Sequence, residues 1–148
     1  MSLDRLKHFS NVLKDFSFLD DKAIEIVKQY ESEIIDLNTE EQLFRLGQLR
    51  TGKKIQPGYR PFTVEIKRQR GQPVDRVTLQ DTGEFYEGFF IEYSANFFFI
   101  TSSDPKTQDL VNRYGSEIFG LSEKSLVEIR IIIHQELLES LRKELFDD

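Results

Sequence analysis

The densest group of aromatic residues in this chain constrains the fold more than any other feature. Residues 85–99 contain eight of the 18 aromatic side chains in a chain of 148 residues. Residues 94–96, Ser-Ala-Asn, divide this stretch into two apolar runs and are of types that form turns. We therefore predict strands near 88–93 and 97–102 that pair as a hairpin. Because the runs are so apolar, we expect the hairpin to be a buried sheet.

The N-terminal part, residues 2–49, has apolar residues that recur at helical spacing. Two runs of this kind indicate two amphipathic helices, and Asp20 or Asp21 is suited to cap the second. Residues 39–42, Thr-Glu-Glu-Gln, have the spacing of a capping box. They predict a short third helix that extends through Leu46.

The sequence around and after the hairpin, residues 77–146, predicts two more helices beside the sheet. Asp104 followed by Pro105 is typical of a helix start and Gly115 of a helix end, so we expect about ten helical residues between them. From Ser122 onward, apolar residues recur along one face of a long terminal helix. These apolar residues are Leu126, Ile129, Ile133, Leu137, Leu138, Leu141 and Leu145. A small antiparallel sheet flanked by helices makes the predicted fold class α+β.

Charge is distributed unevenly along the chain. From Arg45 to Arg76 there are nine basic and two acidic residues, a net charge of +7, whereas the remainder carries −13. Residues 50–76 are expected to form a basic, partly flexible loop because glycine and proline interrupt them. Pro61 and Gly71 favour a short helix between them, although the β-branched residues there favour a strand. The residues expected to be available for interaction are Arg50, Lys53, Lys54, Arg60, Lys67, Arg68, Arg70 and Arg76.

The composition excludes several kinds of chemistry. The chain has no cysteine, which excludes disulfides, thiolate nucleophiles and cysteine-based metal clusters. Its two histidines, His8 and His134, are not spaced as a ligand pair, so we predict no metal site and no cofactor. No apolar run approaches the roughly 20 residues that span a bilayer, and the first residues do not resemble a signal peptide. We therefore expect one soluble domain, residues 1–148, made inside the cell and without membrane contact.

Asp81, Thr82 and Gly83 match the tripeptide that carries the catalytic carboxylate of aspartic proteases. A single copy would require a homodimer in which two carboxylates share a proton. Gln80 and Glu84 argue against this chemistry, because the pair needs a shielded site after an apolar strand. The alternative is that Asp81 or Thr82 caps a short helix and Glu84 completes a capping box. We expect no enzyme, and a homodimeric aspartic protease is a remote alternative.

The basic segment, residues 50–76, is open to three interpretations. Clustered cations release counterions from nucleic acid, so an accessory protein that binds nucleic acid transiently is one alternative function. Proteins that bind single strands interleave cations with aromatic residues, but residues 77–105 contain no lysine or arginine. We therefore interpret the aromatic residues as core. Contact with an acidic protein surface and a solvated loop are the other two interpretations.

Five elements in a fixed order are shared with a known family. A basic, irregular segment leads into residues 77–85, an apolar approach to Thr-Gly followed by an aromatic residue. A hairpin at 89–102 and a helix at 110–115 that ends in Tyr-Gly come next. Residues 118–122, Ile-Phe-Gly-Leu-Ser, then lead into the terminal helix. Taken together, residues 50–145 resemble the tail-completion, or virion-morphogenesis, proteins that join or finish the tails of long-tailed bacteriophages.

The resemblance implies a structural protein without catalytic activity, present in the host bacterial cytoplasm during assembly and then in the virion. It implies self-association into a ring at the head-to-tail junction or the top of the tail tube, in contact with other phage neck or tail proteins. The residues of this chain that form the structural motif of the resemblance are Asp81, Thr82, Gly83, Gly115 and Gly120. Ring formation requires heterologous contacts that close. The basic segment of one subunit can meet the acidic remainder of its neighbour, in a contact that salt weakens.

Overall fold

A two-stranded antiparallel sheet lies among helices, so the fold class is α+β as predicted. The computed structural model describes residues 3–4, 7, 16–94 and 97–146. The strands are β1 (Phe89–Tyr93) and β2 (Phe98–Ser102). The helices are α1 (Phe16–Gln29), α2 (Glu31–Asp36), a π-helix (Leu37–Arg45), α3 (Pro61–Gln69), α4 (Glu84–Glu87), α5 (Thr107–Tyr114), a 3₁₀-helix (Ser116–Ile118) and α6 (Glu123–Phe146).

The hairpin forms where the sequence predicts it, with Phe89 opposite Ser102 at one end and Tyr93 opposite Phe98 at the other. Phe89 is buried, as are Ile91 and Ile100, whereas Phe90 and Phe99 are exposed. The prediction of a buried sheet therefore holds for one face of the hairpin and is wrong for the other. Successive side chains of a strand point to opposite faces, and among the described residues only one face of this sheet packs against the core.

The N-terminal helices differ from the prediction at both proposed starts. Asp20 and Asp21 cap no helix, because α1 has already begun at Phe16 and continues through them. Thr39 begins no helix either, since α2 runs directly into the π-helix. The Thr39 hydroxyl donates to the carbonyl oxygen of Ile35 at 3.0 Å instead of accepting a hydrogen bond as a cap.

The basic segment contains α3, at the position that its proline and glycine favour. Pro61 occupies the first turn of α3, and Gly71 turns the chain after it with φ of +69°. The helix predicted after Asp104 forms as α5, with eight residues. Before it, Asp104 Oδ1 accepts a hydrogen bond from the backbone N–H of Lys106 at 2.7 Å. Gly115, with φ of +94°, ends α5.

The core lies between the hairpin, α2, the π-helix and α6. Ile34 and Leu43 contribute from the N-terminal helices, and Ile129 contributes from α6. Phe85 meets Phe89 edge-on, with ring centroids 5.0 Å apart, and burial of each such side chain contributes about 1.5–3 kcal/mol to folding. None of the described helices combines the length and apolar character that crossing a membrane requires, including α6 with its 24 residues.

Candidate assembly interface

Two buried amides of the π-helix fix the chain segment that leads into α6. Asn38 donates from Nδ2 to the carbonyl oxygen of Ile118 at 3.0 Å and accepts at Oδ1 from the backbone N–H of Gly120 at 2.8 Å. Gln42 donates to the carbonyl oxygen of Gly120 and accepts from the N–H of Ser122, both at 2.9 Å. Gly120 belongs to the predicted motif, whereas Asn38 and Gln42 are not among the residues predicted from the sequence. In the sequence, the only sign of this contact is that two amide residues stand four positions apart among apolar helical positions.

A groove of about 780 Å³ lies beside this contact, between the π-helix and the first half of α6. We call it the acidic groove. Its floor contains the apolar side chains Leu37, Phe44, Leu46, Ile129 and Ile132. Its edges carry the exposed carboxylates Glu33, Asp36, Glu40 and Glu128 and the exposed lysine Lys124. These four carboxylates form no ion pair with any other residue that the structure describes. Glu41 lines the groove too and is bonded to Arg45, which lowers the pKa of Glu41.

Lys67, one of the predicted basic interaction residues, makes its contacts within its own chain. Its side chain is only 7% exposed. Its Nζ donates to the carbonyl oxygen of Gln80 at 2.8 Å and to Oε1 of Gln72 at 3.3 Å. It also lies 4.8 Å from the centroid of the Tyr59 ring, a cation–π contact. Lys67 therefore anchors α3 to the rest of the fold.

Three arginines of the same set, Arg68, Arg70 and Arg76, also have partners within the chain, and the partner of Arg70 is Asp81. Arg76 donates from Nε to the carbonyl oxygen of Phe44 at 2.7 Å and lies over the Phe44 ring at 5.7 Å. Arg68 pairs with Glu65 at 3.3 Å on the surface of α3. The Arg68 pair is exposed at both ends, so we expect it to contribute little to stability.

The remaining predicted cations are exposed. Lys53, Lys54 and Arg60 form no ion pair with any residue in 16–94 or 97–146. We call these three residues the exposed cations. Arg50 is exposed as well, and its aliphatic part lies so close to Gly120 that a Cβ there would stand 2.9 Å from the Arg50 Cδ. Gly120 has φ of +102°, which also favours glycine at this position.

The residues Asp81, Thr82 and Gly83 form the turn that leads into α4. Asp81 is exposed and its carboxylate pairs with Arg70 at 2.7 Å. The short helix is as predicted, but the capping position is occupied by Gly83, with φ of +93°, and no capping box forms. The Thr82 hydroxyl accepts from the backbone N–H of Glu84 at 3.5 Å. An exposed carboxylate bonded to a guanidinium does not suit the protease chemistry, which needs a shielded pair of carboxylates.

Phe62 is the most exposed large apolar residue that the structure describes, at 77%. It lies in the first turn of α3 and lines a second groove, of about 420 Å³, together with Leu110 and Tyr114 of α5. Leu79 in the same groove has φ of +58°, a backbone conformation that is uncommon for residues other than glycine. The sequence analysis did not single out Phe62, because one aromatic residue in a short helix carries no periodic signal.

The outer face of the hairpin carries exposed aromatic rings. Phe97 and Phe99 are 57% and 46% exposed, and their rings stack with centroids 6.4 Å apart. Arg50 lines the same surface depression. The interpretation of all the hairpin aromatics as core is therefore wrong for these residues and for Phe90, since they lie on a face that none of the described core elements covers.

Two tyrosines, Tyr86, which is buried, and Tyr93, which is partly buried, have pKa values above the ordinary 10. Tyr86 donates to the carbonyl oxygen of Thr78, and burial raises the pKa of Tyr86. Tyr93 donates to a carboxylate oxygen of Glu31 at 2.7 Å, and burial together with this bond raises the pKa of Tyr93. Both hydroxyls thus stay protonated in the folded chain at neutral pH.

The histidines and carboxylates form no metal site in the part of the chain that the structure describes. His134 is exposed on α6, and His8 lies outside the described residues. Comparison with protein-family models, curated proteins and solved structures gives no match for this chain.

Proposed function

We propose that this protein is a non-enzymatic structural protein of a long-tailed bacteriophage or prophage, acting in tail completion or head-to-tail joining by ring assembly. The observation that carries the proposal is the presence of two surfaces of opposite charge. The exposed cations Lys53, Lys54 and Arg60 lie in one short segment of the chain, and the carboxylates of the acidic groove lie on α2, the π-helix and α6. Each copy therefore presents two unlike surfaces that attract each other, and such contacts close into rings when the rotation between copies permits.

The order of the structural elements supports the phage assignment. The turn at 81–83, the hairpin, α5 and the segment at 118–122 follow one another as the resemblance implies. The last of these segments is held by the π-helix and so forms part of one rigid base for the acidic groove. The resemblance implies contact between subunits, and the exposed cations and the carboxylates of the acidic groove are charges that can take part in such a contact.

Sedimentation of the purified protein across concentration and salt tests the proposal, with electron microscopy of any large species. We expect closed rings at low salt that dissociate as salt screens the charges. Reversal of Lys53 and Lys54 to Glu should prevent assembly. The matched control reverses Arg142 and Lys143, two exposed cations near the end of α6, and should assemble as the unchanged protein does. Monomers under every condition, or rings that ignore the first reversal, would contradict the proposal.

A nucleic-acid-associated accessory protein is the second candidate, because Phe97 and Phe99 form an exposed stack beside Arg50. Exposed aromatic rings next to a cation are the features that bind single strands. Fluorescence anisotropy with a labelled single-stranded oligonucleotide at low salt tests this function. It requires binding that falls steeply with salt and is lost in the double variant Phe97→Ala and Phe99→Ala, whereas Phe62→Ala retains it.

A further inference from the structure

Phe62 lies on a helix that is attached to the following loop, and it lines the same groove as the residues that make this attachment. Lys67 is bonded to the carbonyl oxygen of Gln80, and Arg70 pairs with Asp81, so the helix is attached to the following loop by two separate contacts. Phe62 lies on the exposed side, at 77% exposure. Rigid aromatic side chains of this kind are the usual anchors of protein interfaces.

The acidic groove has the size and lining that such an anchor needs. Its volume of about 780 Å³ lies within the range of pockets that enclose apolar groups. Among the described residues its lining comes from 33–48 and 122–132, whereas Phe62 belongs to α3. One chain can therefore present both surfaces at the same time.

Charge favours α3 as the occupant of the acidic groove. Arg60 directly precedes α3, is exposed and forms no ion pair with the described residues. The one acidic residue of α3, Glu65, is paired with Arg68. Phe62 thus approaches a partner together with a cation, and the carboxylates Asp36 and Glu40 stand at the edge of the groove to receive it.

We propose that Phe62 of one copy inserts into the acidic groove of a second copy, with Arg60 facing Asp36 and Glu40 at its edge. The two surfaces are different, so the contact is heterologous and each copy uses one surface toward either neighbour. This inference rests on the self-association that the proposed function requires, and it identifies the residues of that contact.

Disulfide formation between introduced cysteines tests the contact directly, because the chain has no cysteine of its own. Phe62→Cys in one copy is mixed with Leu46→Cys in another, since Leu46 lines the acidic groove and is 37% exposed. Mild oxidation should give a disulfide-linked heterodimer on a non-reducing gel. Mixtures of Gln69→Cys with Leu46→Cys, and of Phe62→Cys with Gln135→Cys, are the matched controls and should give none.

The other outcomes separate the two hypotheses. An assembled protein whose test pair cross-links no more than the controls would overturn this inference alone. Phe62→Cys homodimers in place of the heterodimer would indicate a two-fold contact and would overturn it too. A protein that neither cross-links nor sediments as an oligomer would overturn this inference and the proposed function together.

A charge exchange provides the second measurement. Phe62→Ala should weaken self-association by about tenfold or more, while the control Phe97→Ala, which removes another exposed phenylalanine, leaves it unchanged. Arg60→Glu should weaken it as well, and Asp36→Lys in the same chain should restore it, because the exchanged charges again attract in every contact of the ring. Unchanged assembly in Phe62→Ala, or failure of the exchange to restore it, would overturn the contact.

Discussion

Two regions of the chain use polar and aromatic groups in opposite ways. One is the contact between the π-helix and residues 118–122, and the other is the exposed side of α3. Asn38 and Gln42 are buried, and their amide groups are bonded to backbone partners 78–82 residues away in the chain. Phe62 and Arg60 are exposed, and neither belongs to the buried core. We infer that the first region determines the stability of the monomer, whereas the second contributes to association. Substitutions can separate these two properties.

Asn38→Ala should have the largest effect on stability. It leaves the carbonyl oxygen of Ile118 and the backbone N–H of Gly120 without their buried partner, and each loss lowers the free energy of unfolding by about 1–3 kcal/mol. We expect a total of about 2–6 kcal/mol in urea unfolding. Asn112→Ala, on the exposed side of α5, is the matched control and should change stability by less than about 0.5 kcal/mol. Equal losses of free energy of unfolding in the two variants would contradict a stabilising role of the buried Asn38 amide.

Lys67→Met should have the next largest effect. The variant keeps an unbranched apolar chain but leaves the carbonyl oxygen of Gln80 without its donor, so the free energy of unfolding should fall by about 1–3 kcal/mol. Lys106→Met removes an exposed lysine near the same groove and should change it by less than about 0.5 kcal/mol. Thermal unfolding of both variants checks the difference. If the Lys67→Met variant is as stable as the Lys106→Met control, Lys67 contributes no more to stability than an exposed lysine does.

Tyr86 makes the stability of the buried region depend on alkaline pH. Burial raises the pKa of Tyr86 in the folded chain above the ordinary 10 of the unfolded chain. Its contribution is therefore present in full below pH 10 and is lost as the pH rises above 10, because only the unfolded chain then loses the proton. The loss from one such group is at most about 1.4 kcal/mol per pH unit. Urea unfolding at pH 9 and pH 11 should show a smaller decrease for Tyr86→Phe than for the unchanged chain, and equal decreases would contradict this assignment.

How well the sequence predicts a region depends on how far apart in the chain its interacting residues lie. The hairpin and α3 have local signals, namely the residues at 94–96 and the positions of Pro61 and Gly71, and the structure has both elements there. The proposed helix start at Thr39 fails because its hydroxyl bonds backward to Ile35, which local spacing does not reveal.

The acidic groove and the buried amides were missed for a different reason. Each joins the N-terminal helices to residues about 80 positions later, so the partners become neighbours only through tertiary packing. The basic segment was identified by composition, but composition does not distinguish Lys67, which is buried and bonded, from Arg60, which is exposed. Local patterns therefore predict which elements form, and only the packed structure assigns its role to each charge.

Phe62→Ala should have the smallest effect on the monomer and so provides the sharpest separation of the two regions. The side chain is already 77% exposed, so its removal takes little apolar area out of the folded core, and the free energy of unfolding should change by less than about 0.5 kcal/mol. Urea unfolding at a protein concentration where the chain is monomeric measures this quantity without a contribution from association. A loss of more than about 1 kcal/mol under these conditions would mean that Phe62 stabilises α3 within its own chain. Stability close to that of the unchanged chain, together with weakened self-association, would assign Phe62 to the contact between copies, because the substitution would then act only where a second chain covers the ring.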